Sequence, residues 1–269
     1  MPKPPIEFRR LDSIAFWKKT PPALGGKLSI LSPEAFEKIL GCQYTESIQF
    51  ADGISDEKLL RLQKQETLEP ASRAADEDWL TRLHLLQQQP NTKLGVAFIN
   101  EAVGYATIST ETIKEGEILC IYSGTFRTYN PETEAETATK ALIDNPYLLY
   151  LKELEDGTNY LCDAYKTRGM AGLMAHLPTP LSKPLAADGS DVTFETLCEL
   201  DEIDWFPDGE KYQTANDIIK NIACANVTRQ QIIFQGIPIE VLHANRDIPE
   251  HTLVGFSYEL ESPKFSAQI

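Results

Sequence analysis

Residues 232–260 carry the feature that most restricts this chain. Three short apolar runs follow one another there, interrupted by Gly236-Ile237-Pro238 and again by Asn245-Arg246-Asp247-Ile248-Pro249. Runs this short, bounded by glycine and proline, fit strands joined by tight turns rather than helices. The last run closes on Phe256-Ser257-Tyr258. A tyrosine ending a buried strand gives its ring to the core and can place one hydroxyl in a pocket.

The same strand pattern occurs earlier, at 94–99, 106–109 and 117–122, with Ser123-Gly124 breaking the last run and 113–117 supplying a turn. Before Pro90 the pattern is helical. Ser32-Pro33 is an N-cap and first-turn pair, Phe36, Ile39 and Leu40 share a face, and Gly41 is a stop signal. A second helix is expected over 56–65. A third is expected over 76–89, with Trp79, Leu80, Leu83 and Leu86 at helical spacing and Pro90 ending it. These stripes read as core, and His84 among them as a structural or exposed side chain. Residues 131–143 form a polar, helix-favouring link. Residues 188–210 are conspicuously acidic, with a helix expected over 191–200 and Trp205-Phe206 outside it. Thr214 to Asp217 has the spacing of a capping box, opening a helix that leads to Asn226.

Charge and cysteine content narrow the function. A net charge of −15 argues against naked nucleic acid as a direct partner, because neutralising phosphates takes a basic surface. It suits a basic protein segment through faster encounter, although acidity also simply favours solubility. Five scattered cysteines without a C-x-x-C pair predict neither a disulfide framework nor a cysteine-built metal site. They fit a reducing, cytoplasmic compartment. Residues 1–19 include basic side chains but no unbroken apolar run of signal-peptide type, and no run reaches membrane-spanning length.

Three blocks in order carry a family resemblance. Gly104-Tyr105-Ala106, Ile113-Lys114-Glu115-Gly116-Glu117 and Tyr122-Ser123-Gly124 form the first. Asp163-Ala164 through Ala175-His176 form the second. Ala244-Asn245-Arg246-Asp247-Ile248 followed by Phe256-Ser257-Tyr258 form the third. Together they resemble the SET-domain protein-lysine methyltransferases over residues 94–260. The resemblance implies an α+β fold: a SET-like β-rich domain of short strands with a pseudoknot at 91–260, an N-terminal helical region at 1–90, an inserted acidic segment at 181–217 and a short tail at 261–269.

What the resemblance implies about chemistry is specific. S-adenosylmethionine would be the cofactor and a lysine-bearing protein, such as a histone tail, the substrate. Tyr258 would be the catalytic tyrosine, and Tyr122 a second tyrosine lining the lysine channel or else a core aromatic. Gly104, Tyr105 and Ala106 would offer main chain to the cofactor, with Ala175, His176 and Asn226 completing its site; a helix C-cap is the other use for Asn226. Phe256 would line the channel at a position where Phe permits higher methylation states. The chain departs from the family pattern at Ala106, at Ala175 in place of Asn, and at Leu177-Pro178 in place of Ser-Cys, and the pattern's second Asn is displaced to Asn226. No zinc-binding cysteine cluster follows Tyr258. These departures keep open a non-catalytic interaction module of the same fold. Oligomeric state is left open.

Overall fold

The computed structural model of the chain describes residues 4–18, 28–68, 73–74, 77–100, 104–130, 132, 145–176 and 225–257. The expected polar link at 131–143, the acidic segment and its helices, and Tyr258 with the tail lie outside the described residues, Glu132 apart.

The elements run in chain order as β1 (Ile14–Lys18), β2 (Leu28–Leu31), α1 (Pro33–Leu40), β3 (Gln43–Tyr44), β4 (Ile48–Phe50), α2 (Asp56–Leu68), β5 (Arg73–Ala74) and α3 (Glu77–Gln88). They continue as β6 (Leu94–Asn100), β7 (Gly104–Ser109), β8 (Ile118–Ile121), β9 (Gly124–Tyr129), β10 (Leu148–Glu153), β11 (Asn159–Asp163) and β12 (Thr167–Arg168). A 3-10 turn, Met170–Leu173, leads to β13 (Ala175–His176), and β14 (Val227–Phe234), β15 (Ile237–Ala244) and β16 (Gly255–Phe256) close the described chain.

Local chemistry accounts for α1. The Ser32 side chain accepts a hydrogen bond from the Ala35 amide, Pro33 starts the helix, and Gly41 ends it at φ +70°, donating its amide to the Glu37 carbonyl. Phe36 is fully buried and meets Tyr44 edge to face. α3 buries Trp79, Leu83 and Leu86. Leu80 and Ile39, expected on the apolar faces, are instead exposed. Leu80 is one residue on from Trp79, roughly 100° round the helix, so one face cannot bury both fully.

Three four-stranded sheets have the orders β2-β1-β6-β7, β10-β11-β9-β4 and β5-β14-β15-β8, joined by the two-stranded pairs β12-β3 and β13-β16. The first ninety residues therefore do more than supply helices. β1 lies parallel to β6, β3 to β12, β4 to β9 and β5 to β14. Strand pairing thus runs across residue 90 in every sheet but β13-β16, and one hydrophobic core unites both sides, from Phe8 and Ile14 to Ile239 and Val254.

The β14-β15 hairpin is tighter than its sequence implied. Its loop is Gln235-Gly236, both at positive φ, while Ile237 and Pro238 already pair with Phe234 and Ile233. Two residues at positive φ give the loop a twist that matches the strands. Pro238 lies beyond the stretch of β15 paired with β8, so its missing N–H costs no bond on that side. No described helix is long and apolar enough to cross a membrane.

Candidate functional site

The three sequence blocks meet in space. Block one joins block three at a turn. The Gly116 amide donates to the Ala244 carbonyl, and Ile113 and Ile248 exchange both main-chain hydrogen bonds at 2.8 and 2.9 Å. Asp247 accepts from the Glu115 amide at 2.9 Å and pairs with Lys114 at 2.6 Å. Arg246 donates to the Ala225 carbonyl at 2.9 Å, and the Asn245 side chain to the same oxygen at 3.1 Å. The residues 245–248 thus each have a mechanical task, and those that hold Ala225 deliver Asn226 to the site.

Residues 251–256 then run between the blocks. The Val254 amide donates to the Thr107 carbonyl and the Ser109 amide to the Thr252 carbonyl, each at 2.9 Å, with Ile108 and Leu253 forming a bridge. Downstream, Gly255-Phe256 lies parallel to Ala175-His176. Asn226 clasps this run. Its side-chain nitrogen donates to the Leu253 carbonyl at 2.8 Å, and its side-chain oxygen accepts the Gly255 amide at 3.0 Å. The residue is 1% exposed, so both bonds are shielded from water. While these bonds stand, the Asn226 side chain is not free to turn toward a ligand; the helix it would cap lies outside the described residues.

Thr107 also ties block one to block two, its hydroxyl donating to the Met170 carbonyl at 3.1 Å. Ala106 is buried beside it. Gly104 opens β7 at φ +75°, and a Cβ there would meet nothing within 4 Å, so the main chain is approachable at that point. Tyr105 is half-buried, its ring 5.2 Å from Phe98 and 6.2 Å from Phe16. Phe256 is 2% exposed, with the Arg229 guanidinium 5.7 Å from its ring centre.

Tyr122 is held separately. Its amide donates to the Glu240 carbonyl at 2.8 Å and its hydroxyl to the Tyr147 carbonyl at 3.1 Å. The Arg168 guanidinium stacks on the Tyr147 ring at 3.4 Å and donates to the Ala164 carbonyl at 3.2 Å. Tyr165, 56% exposed, lies 6.4 Å from Tyr147 ring to ring. Asp163 steadies this corner, pairing with Arg127 at 3.1 Å and accepting from Asn145 and the Tyr165 amide.

Block two is pinned from the N-terminal side. The Thr45 amide donates to the Arg168 carbonyl at 3.0 Å, and the buried Ser123 hydroxyl donates to the Thr45 carbonyl at 2.8 Å. Glu46 accepts the Met170 amide at 2.9 Å. All three residues crowd Gly169, where a Cβ would stand 2.2 Å from Ser123 Oγ and 2.7 Å from both Glu46 Oε2 and the Thr45 oxygen. Only glycine fits. Burial pushes the Glu46 carboxyl up to about 7, and the hydrogen bond from Met170 opposes that only in part.

Of the expected site residues, the fold thus gathers Ala106, Ala175, His176, Asn226 and Phe256 along one seam. Gly104 stands at the far end of β7, about 10 Å along the strand from Thr107. Tyr122 sits in the Tyr147–Arg168 corner. Glu46, Thr107 and Tyr147 carried no signal as site residues, and Arg168 only its place inside a motif block. Among the described residues no cluster of three or more His, Cys, Asp or Glu could hold a metal ion.

The sequence matches no protein-family model and no curated protein. Solved structures do share the arrangement. ATXR5 in complex with mono-methylated histone H3.1 matches with a TM-score of 0.53 at 12% identity, over 84% of this chain and 87% of that one. The ATXR5 SET domain in complex with di-methylated histone H3 matches with a TM-score of 0.52, also at 12% identity, over 91% and 96%. At this identity the likeness speaks to architecture alone: the chain has an α+β, SET-like fold.

Proposed function

We propose that the chain is an S-adenosylmethionine-dependent protein-lysine N-methyltransferase acting on a basic, lysine-bearing protein segment such as a histone tail. The observation that carries this reading is the seam at which Ala175-His176 pairs with Gly255-Phe256 under the Asn226 clasp, because it brings all three blocks of the family resemblance to one place. The histone complexes of the ATXR5 structures support the choice of substrate class. The net charge of −15 suits a cationic partner. The five scattered cysteines, without a C-x-x-C pair, suit a reducing compartment such as the cytoplasm.

The residues fit the cofactor in part. The open main chain at Gly104 and the strand Ala175-His176 would hold it. Ala175 has no side-chain donor for its amino acid end, and the Asn226 amide is committed to Leu253 and Gly255. Main-chain groups of 104–106 and 175–176 would serve there instead. When bound, the cofactor would supply an electrophilic sulfonium methyl for transfer to a neutral lysine amine, its own sulfur becoming a thioether. The chain's task is to align and dry the amine. Alignment alone can lower such a barrier by about 7–11 kcal/mol. A water-poor channel lowers the lysine pKa by desolvating the ammonium. Tyr258 would orient the amine, and Phe256 would leave room for di- or trimethylated product. Tyr122, its hydroxyl already bound to Tyr147, would shape the channel wall rather than act as a base.

The test is titration calorimetry of the whole chain with S-adenosylmethionine, with Gly104→Trp as the blocked control. It is followed by transfer of labelled methyl to histone H3, read by product mass. Saturable binding lost in the control, with methyl on lysine, is the expected result. The specific departures at Ala175 and Asn226 favour a second reading, a non-catalytic SET-fold interaction module. Failure to bind the cofactor even with histone present would select it.

A further inference from the structure

We propose that Glu46 is the positioning residue of the segment that carries Ala175 and His176, and that its carboxyl group holds the Met170 amide with a grip that depends on protonation. The inference rests on the reading of 175–176 as part of the cofactor site. It assigns that site a regulatory input from the N-terminal part of the chain.

The geometry is unusual for a carboxylic acid. Glu46 is 7% exposed. One oxygen accepts the Met170 amide, and the other, Oε2, has no hydrogen-bond partner of good geometry, nor has the neighbouring buried Tyr44 hydroxyl. Glu46 also lines a cavity of about 20 Å³ with Cys120, Leu119 and Met170, room for about one water. The titratable or charged groups facing it are Tyr44, Cys120 from β8, and Arg9 on the same cavity, which pairs with Asp12. Burial holds the Tyr44 phenol and the Cys120 thiol neutral, and Glu46 forms no ion pair among the described residues.

An ionised carboxylate here would be a buried charge without a counter-ion, which a fold disfavours strongly. The neutral acid keeps its carbonyl oxygen on the Met170 amide and can turn its O–H toward Tyr44. Its titration near neutrality follows from burial, pushing the carboxyl to about 7. Ionisation draws water into the cavity or the side chain toward solvent. The Met170 bond by itself favours the carboxylate, so the loosening comes from the side chain's move toward solvent, which breaks that bond and frees the four residues between Met170 and Ala175. The linkage sign follows. The folded pKa lies above the unfolded value of 4.5, so the stabilisation is complete below about pH 4.5 and is lost as pH rises through about 7.

The test compares the full-length chain with Glu46→Gln, which keeps the shape and cannot ionise, between about pH 5 and 8.5. Thermal unfolding and hydrogen exchange of 169–176 are read without cofactor, and S-adenosylmethionine affinity by calorimetry. The wild type is expected to lose Tm relative to the variant as pH rises. Its exchange in 169–176, taken relative to the variant, should increase above pH 7. Its Kd should rise by about three- to tenfold from pH 6 to 8, against less than about twofold for the variant, since a single protonation switch changes affinity at most tenfold per pH unit. Parallel Tm and exchange profiles would overturn the tether. A titrating tether with identical Kd profiles would overturn its role in positioning the cofactor. A titrating tether with no cofactor binding by either protein leaves the tether standing and removes the methyltransferase reading. Should Glu46→Gln fail to fold, Tyr44→Phe serves. Loss of the phenol, which favours the carboxylate, moves the transition to higher pH, and an unmoved transition refutes the inference.

Discussion

Two regions hold the backbone around residues 169–176, and they do so by different means. At the seam, 107–109, 175–176 and 251–256 are stitched mainly by main-chain hydrogen bonds, with the Asn226 side chain imitating a strand edge and the Ser109 hydroxyl accepting the Thr252 amide. At the knot around Gly169, side chains add to the short β3-β12 main-chain pairing: Ser123 on Thr45, Glu46 on Met170, Arg168 on Tyr147. Main-chain stitching is indifferent to most side-chain identities, which explains how the seam persists with Ala106 and Ala175 in it. The knot depends on particular groups, and one of them, Glu46, titrates in the neutral range. The knot is therefore expected to respond to pH through Glu46.

The comparison can be broken most severely at the clasp. Asn226→Ala leaves the buried Leu253 carbonyl and Gly255 amide without partners. It is expected to cost about 4 kcal/mol, at about 2 kcal/mol for each orphaned group, in urea unfolding. Asn226→Asp should recover part of this only at acidic pH, where the neutral acid can donate to Leu253, since an ionised carboxylate would set a buried charge against that carbonyl. A loss below about 1 kcal/mol would mean that the main chain closes the seam unaided.

Gly169→Ala attacks the knot. Its methyl would press on Ser123 Oγ at 2.2 Å and on the Thr45 main chain at 2.7 Å, with expected destabilisation of about 3 kcal/mol, the upper range for overpacking. Thr107→Val tests the one hydroxyl that links seam and knot. It should cost about 1 kcal/mol with Thr107→Ser near neutral, and equal losses in both would place the effect in packing instead. Smallest of all, Lys114→Met removes an ion pair whose side chains are 69% and 56% exposed. At physiological salt its Tm should stay within error of wild type, because Asp247 keeps its bond to the Glu115 amide. A clear drop would show that the 113–117 turn relies on charge.

Much of this architecture is legible in residues close together in sequence. Ser32, Pro33 and Gly41 mark both ends of α1 because caps act within one helical turn. The apolar runs after residue 94 announce β6, β7, β8 and β15. The spacing of Arg246, Asp247 and Ile248 shows in the sequence, and its reason in the structure, as three neighbouring residues fasten Ala225, Glu115 and Ile113. The N-terminal strands show the limit. Gln43-Tyr44 is too short to display any period, and its partner, Thr167-Arg168, lies more than 120 residues away.

By itself, then, the sequence determined the three helices before residue 90, several of the strands after residue 94, the order of the three blocks and the acidic balance, since propensity, capping and charge are local or additive quantities. Only the tertiary structure decided that the first ninety residues enter the sheets, that Asn226 serves as a clasp, and that Glu46 ends buried beside Met170 without a counter-charge. These outcomes depend on desolvation and on pairing between distant segments. Both are properties of the whole packed chain, and no short window of residues encodes them.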